Sequence, residues 1–148
     1  MSRRKNLLSG AICIVVLAAI VGYIGWSELQ KQAALACAAS IHQGILSLSN
    51  SELGLTPDIG STWKVLSNSE SDRLILATSQ VHPLDCRNRE LNGLPLDPWS
   101  NRFRIAARWS TANNKLEFMV WSEGKDKVPG TSDDTVSPYG EKVPSLSR

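Results

Sequence analysis

Residues 7–26 carry no charged side chain; the run reads LLSGAICIVVLAAIVGYIGW. At about 1.5 Å of rise per residue, a helix of about 20 residues spans the roughly 30 Å hydrocarbon core of a bilayer. Arg3, Arg4 and Lys5 precede the run, and the first acidic residue, Glu28, follows it. The positive-inside rule then predicts a cytoplasmic N-terminus, with everything after Trp26 on the other side. Tyr23 and Trp26 lie near the outer end, where amphipathic rings favour the headgroup layer. A cleaved secretory signal is the competing reading, but its apolar stretch is roughly 7–15 residues long and a small-x-small site follows closely. The nearest such site, Ala34-Leu35-Ala36, stands well beyond Trp26. The expectation is a retained single-pass anchor.

The chain of 148 residues has room for one ordinary domain beyond that anchor. Its 16 basic and 14 acidic residues give a net charge of +2; without Arg3, Arg4 and Lys5 the balance is 13 against 14, a net of −1. A near-neutral external part offers no basic field for nucleic acid. His42 and His82 stand in neither a metal-ligand nor a catalytic-triad spacing, and no phosphate-cradling glycine loop is present, so no enzyme activity and no small-molecule substrate are expected. Of the three cysteines, Cys13 lies inside the apolar run, whereas Cys37 and Cys86 fall on the side where disulfides are permitted. A bridge between them and two separate buried thiols are both open readings.

The apolar run does not end in a linker. Residues 28–49 contain no proline, and Leu29, Ala33, Ala36, Cys37, Ile41, Ile45 and Leu48 recur at spacings of three and four. That period predicts one helix over residues 7–49, first half in lipid and second half carrying an apolar stripe. Residues 50–71 read as loop with room for a short helix, residues 73–79 as a short strand or helical turn, and residues 81–96 as connecting loop. Then Phe103, Ile105, Ala107 and Trp109 alternate with Arg102, Arg104, Ala106 and Arg108. Leu116, Phe118 and Val120 alternate with Glu117, Met119 and Trp121. Period two on both sides of residues 110–114, where Asn113-Asn114 suits a tight turn, predicts a β-hairpin. The arginine-bearing face of one strand can meet Glu117 on the other. After Trp121 the chain is polar, and something other than a core must shape it. The organisation is thus α+β: a basic cap at 1–6, an apolar span at 7–26, an amphipathic continuation at 27–49 and a globular part at 50–148.

Two short segments carry local chemistry. In Asp97-Pro98-Trp99-Ser100-Asn101, proline restricts the backbone, Asp97 can accept from nearby N–H groups and Trp99 supplies a large apolar plug. In residues 122–134, SEGKDKVPGTSDD, Gly124 and Gly130 permit bends that bring Asp126 back towards Asp133 and Asp134. Such a loop either remains a solvated acidic segment or holds a hard cation such as Ca²⁺, which takes six to eight oxygens from carboxylates and carbonyls. It does not follow the EF-hand spacing.

Together these features resemble the major pseudopilin of bacterial type II secretion systems, within the wider type IV pilin-like class. That family has a hydrophobic helix continuing into an amphipathic one, a DPWG-N segment, a short antiparallel sheet and a late loop of the form W-S-x-G-x-D-G-x-x-G-T-x-D-D. The corresponding residues here are Asp97-Pro98-Trp99 with Asn101, then Trp121-Ser122, Gly124, Asp126, Gly130-Thr131 and Asp133-Asp134. The match covers about 40 residues in the right order. The resemblance implies a pilin-like fold, and a calcium ion on the side chains of Asp126, Asp133 and Asp134 with carbonyls near Glu123 and Val128. It also implies an inner-membrane location with a periplasmic or extracellular domain, and a structural role among like or other pilin-like subunits packed through the N-terminal helix. A bitopic protein that binds an envelope partner without polymerising is the alternative. Lys127 and Ser100 stand where the family usually carries glycine. After Gly10 the residues Ala11-Ile12-Cys13-Ile14-Val15 lack the family's phenylalanine and its glutamate at the fifth mature position.

Overall fold

The computed structural model describes the backbone of residues 2–48, 53 and 59–138, with side chains from residue 15 onward within those ranges. A long helix, α1 (Ser2–Ser47), is followed by β1 (Lys64–Val65), α2 (Asn68–Val81), β2 (Asn88–Arg89), β3 (Pro95–Leu96), β4 (Arg104–Ser110), β5 (Lys115–Ser122) and β6 (Thr135–Ser137). The chain separates into two compact units, Met1–Gln30 and Lys31–Arg148.

In the first unit, Val15, Leu17, Val21, Ile24 and Trp26 are exposed, and no described residue before Ala34 belongs to the buried core. Among the described residues, no helix is long and apolar enough to cross a membrane. Positions 7–14 of the apolar run, and the basic cap before them, lie outside the residues with described side chains.

The second unit contains a four-stranded antiparallel sheet in the order β1-β4-β5-β6, with one side of α1, from Cys37 to Ile45, and one side of α2 packed on one face. Strands β4 and β5 pair with Ile105 opposite Val120, Ala107 opposite Phe118 and Trp109 opposite Leu116, which forms the hairpin that the alternation predicts. Asn114, at φ 50°, turns the chain between them; asparagine tolerates this left-handed backbone better than most residues. Ile105, Ala107, Phe118 and Val120 meet Cys37, Ala38, Ile41 and Ile45 of α1 and Leu74 and Ile75 of α2. The buried stripe of α1 differs in part from the expected one. Ala34 and Ala38 are buried, Ala36 and Leu29 are exposed and Ala33 is half-buried. In an alanine-rich stretch the packing partner, rather than hydrophobicity, selects which methyl groups are covered.

The opposite face of the sheet is buried too. Ala106, Met119 and Trp121 form a second cluster with Trp63, Val65 and Val136. At its margin Arg108 stacks 4.3 Å from the Trp63 ring centroid and pairs with Glu117 at 2.7 Å, directly across from it in the ladder.

Three segments read from sequence as irregular are ordered elements. Residues 68–81 form a helix of 14 residues, which takes the helical of the two readings left open for residues 73–79 and extends it. It is started by a capping box in which Ser67 Oγ accepts from the Glu70 amide and Glu70 accepts from the Ser67 amide. Residues 88–96 form a hairpin with a three-residue loop, in which the Glu90 amide donates to the Leu94 carbonyl and Gly93 takes φ 87°. Strand β6 adds three residues to the sheet edge beside β5. Arg102 ties these parts together, donating to Asp72 of α2 at 2.7 Å and to Glu90 of the hairpin at 2.8 Å.

Cys37 and Cys86 are joined, with Cα atoms 4.8 Å apart, so the bridge pins the segment after α2 to α1. A structural disulfide of this kind points to an oxidising, non-cytoplasmic compartment for the second unit.

The two helices meet at Gly44. A Cβ there would overlap Cγ2 of Thr78 and reach within 3.3 Å of His82 Cβ. On an open helix face Gly→Ala gains about 1 kcal/mol. Here the stiff, β-branched Thr78 cannot yield, and overpacking of about 1–3 kcal/mol outweighs the gain. Gly44→Ala is expected to lower the melting temperature, and an unchanged or raised Tm would show that the helices part at no cost.

His42 faces the sheet from α1, with Nδ1 3.5 Å from Ser137 Oγ of β6. Burial lowers its pKa, and a hydrogen bond to the Phe118 backbone partly opposes the shift. Because the folded form holds the proton less tightly than the unfolded chain, this contribution to stability is complete above about pH 6.5 and declines as pH falls below it. Thermal melts between pH 7.5 and 5.5 should show that decline in the native chain and a flatter profile in His42→Gln.

Candidate metal centre

The late loop departs from β5 at Ser122 and returns as β6 at Thr135. Three left-handed positions fold it: Gly124 at φ 65°, Lys127 at φ 59° and Gly130 at φ 89°. A Cβ at Gly124 would lie 2.5 Å from Asp133 Oδ2, so the absence of a side chain there makes room for the carboxylate. Asp133 Oδ2 accepts from the amides of Lys125 at 2.7 Å and Asp126 at 3.1 Å. Asp134 Oδ2 accepts from the Gly130 amide at 2.6 Å, and Asp126 Oδ1 from the Val128 amide at 2.9 Å.

These bonds converge three carboxylates. One oxygen each from Asp126, Asp133 and Asp134 lies within 4.8 Å of the others. Each such like-charged pair repels by about 1–3 kcal/mol at effective dielectric constants between water and a protein surface. Thr131 Oγ1 stands among them, 3.3 Å from Asp126 Oδ1, 2.7 Å from Asp133 Oδ1, 3.5 Å from Asp134 Oδ1 and 3.1 Å from the Val128 carbonyl. A hydroxyl has one proton to donate. Four acceptors therefore surround a group that can fully satisfy one of them. An all-oxygen set of carboxylates, carbonyl and hydroxyl is the donor chemistry of a hard cation, and the Asp126, Asp133 and Asp134 group can hold a metal ion.

The two half-buried aspartates are tuned apart. Burial raises the Asp133 pKa, but the Thr131 hydroxyl and the Asp126 and Lys125 amides outweigh it and the net shift is downward. For Asp134, burial prevails over the Gly130 and Thr131 amides, the charges of Asp133 and Asp126 add to it, and the net shift is upward. A cation bound among them would favour the ionised form of both.

Of the residues implicated from sequence, Asp126, Asp133, Asp134 and the Val128 carbonyl come together. At Glu123 the expected ligand is a carbonyl; its carboxylate lies 3.8 Å from Arg104 of β4. Thr131 was not singled out as a site residue, although its place between the bends and the two aspartates was the available signal.

The other segment proves to be part of the same assembly. Asp97 is fully buried. Its Oδ1 accepts from the amides of Trp99 at 2.9 Å and Asn101 at 2.7 Å, and its Oδ2 accepts from Asn101 Nδ2 at 3.1 Å and from the Ser122 hydroxyl. Ser122 Oγ in turn accepts from the Gly124 amide, and Asn101 Nδ2 donates to the Gly124 carbonyl at 2.7 Å. Asp97 thereby fastens the start of the sheet to the start of the late loop. Trp99 is half-buried and does not serve as the apolar plug; the fully buried tryptophan is Trp121. Pro98 is half-buried beside it, and Ser100 takes φ 66°.

An α-helix packed through its C-terminal half on a small antiparallel sheet, followed by an acidic loop, is consistent with a pilin-like α+β fold. Comparison of the chain with protein-family models, with curated proteins and with solved structures returned no match.

Proposed function

We propose that this chain is a pseudopilin-like structural subunit of a type II secretion or type IV pilus-like assembly, stabilised by calcium and without enzyme activity. One observation carries the reading. The family pattern places glycine at four positions of its two segments, which fall here on Ser100, Gly124, Lys127 and Gly130. All four have positive φ: 66°, 65°, 59° and 89°. Serine and lysine rarely adopt that backbone unaided, since the left-handed region costs a residue with a Cβ about 1–2 kcal/mol. The retained conformation at two substituted positions supports the resemblance beyond identity of residues. The oxygen cage around Thr131 supports Ca²⁺ as the ion, with side chains of Asp126, Asp133 and Asp134, the Val128 carbonyl and a carbonyl near Glu123 as ligands, and water completing six to eight oxygens.

In this reading residues 7–26 lie in the inner membrane, where apolar side chains such as the exposed Val15, Leu17, Val21 and Ile24 pack against lipid or the helices of like subunits, and the second unit stands on the periplasmic or extracellular side. The alternative, a bitopic protein whose pilin-like domain binds an envelope partner, is favoured by the missing phenylalanine and glutamate after Gly10. Intact mass of the mature protein separates them: loss of residues 1–10 supports a processed fibre subunit, and a full-length mass supports the alternative.

Calcium at a hundred times its dissociation constant should stabilise the chain from Trp26 onward by about 2.7 kcal/mol, a rise in Tm of roughly 10 °C for a domain of this size. Asp133→Ala should abolish the rise. Identical melts with calcium and with chelator would exclude the ion.

A further inference from the structure

The two cysteines of the disulfide are unequally buried. Cys37 is 2% exposed and lies in the helix-facing core, whereas Cys86 is half-buried in an irregular segment at the margin of that core. One turn beyond Cys37, the Ser40 hydroxyl donates to the Cys37 carbonyl at 2.9 Å, accepts from the Asp85 amide at 3.1 Å and lies 4.0 Å from Cys86 Sγ. The segment around Cys86 is therefore held against α1 by a hydrogen bond that does not depend on the sulfur–sulfur bond.

Thiol–disulfide exchange proceeds by attack of a thiolate on one sulfur while the other leaves, and access decides which sulfur is attacked. The attacking thiolate approaches from the side opposite the leaving sulfur. A thiolate reaching Cys37 would have to come through packed side chains of the core; one reaching Cys86 comes from the domain surface. We propose that this disulfide is made and broken through Cys86 alone, with Cys37 as the internal partner and Ser40 as a positioning residue that keeps the two sulfurs in register. In closure, the Cys86 thiolate attacks an external disulfide, of a small molecule or of a thiol–disulfide oxidoreductase, and expels one thiolate. The Cys37 thiolate then attacks the Cys86 sulfur and expels the second. The protein dithiol is oxidised by two electrons, the external disulfide is reduced to two thiols, and the two protein thiol protons pass to solvent or to the released thiolates. Opening runs the same steps in reverse. A reductase or oxidase acting on the chain accordingly needs to recognise the segment around Asp85, Cys86 and Arg87, and has no need to reach the helix.

The test uses the full-length oxidised protein in detergent, exposed to glutathione for short pulses, each quenched with excess iodoacetamide in denaturant and then mapped by peptide mass. Glutathione should be found on Cys86 and the carbamidomethyl group on Cys37, at a ratio of at least tenfold over the reverse arrangement. The rate should rise in proportion to glutathione. Ser40→Ala should accelerate the reaction severalfold with the same preference for Cys86, and Ser40→Thr, which retains a hydroxyl, should restore the slower rate. Glutathione on Cys37, an even distribution, or a rate independent of glutathione would overturn the proposal, the last two because they mean reduction through global unfolding. A Ser40→Ala rate equal to the native one would overturn the positioning role.

Discussion

Asp97→Ala should be the most damaging single substitution outside the apolar core, lowering stability by about 3–5 kcal/mol. The carboxylate is fully buried and accepts from two amides, the Asn101 side chain and the Ser122 hydroxyl. Removing it strands buried donors, each at a cost of about 1–3 kcal/mol, and opens a cavity of carboxylate size. Relaxation and water will recover part of the sum, which is why the expected loss stays near that of two stranded donors. Asp97→Asn keeps the volume but turns an NH₂ towards donors, so it should recover only part of the loss. Urea unfolding with the m-value held as a check would measure both variants. A loss below 1 kcal/mol for Asp97→Ala would show that the network contributes little beyond its geometry.

Breaking the Cys37–Cys86 bridge should be almost as severe. The cysteines are 49 residues apart in sequence, and closing a loop of that length removes chain entropy from the unfolded state worth about 4 kcal/mol. For a domain of about a hundred residues this corresponds to a fall in Tm of roughly 15 °C or more. Cys37→Ala and Cys86→Ala should not be equal, because Cys37 is buried in the core while Cys86 is half-buried. Cys37→Ala loses packing as well as the crosslink and should melt lower. Calorimetry of the two variants and of their combination measures the difference. Equal melting of the oxidised and reduced native chain would remove the entropic account.

The parts of this fold that were legible in sequence are those whose forces act between near neighbours. Alternation over residues 102–121 predicted the hairpin and an arginine-bearing face that can meet Glu117, because period two follows directly from the pleat; the register, and Arg108 as the partner, came with the structure. The helix that starts at Asn68 also carried a local signal, Ser67 followed three residues later by Glu70, but its serine-rich surroundings read as loop. Strand β6 carried none. Thr135, Val136 and Ser137 are too few for a period, and their order comes from the edge of β5.

The candidate site divides in the same way. The bends and carboxylates of residues 124–134 are contiguous, so spacing allowed their convergence and the family resemblance implied it. The bond from Ser122 to Asp97 crosses 25 residues, and nothing local in either segment announces the other. The stripe of α1 was misplaced by one or two positions at Ala33 and Ala36 for a related reason: methyl groups alike in hydrophobicity are sorted by what the rest of the chain brings against them.

Gly124 is held through its amide by Ser122 and through its carbonyl by Asn101, and both of these are held by Asp97. The start of the sheet and the late acidic loop therefore form one cooperative unit of local opening, linked through polar groups rather than through the apolar core. A disturbance at the acidic loop can travel to the first residues of β4 while the packing of α1 on the sheet stays intact.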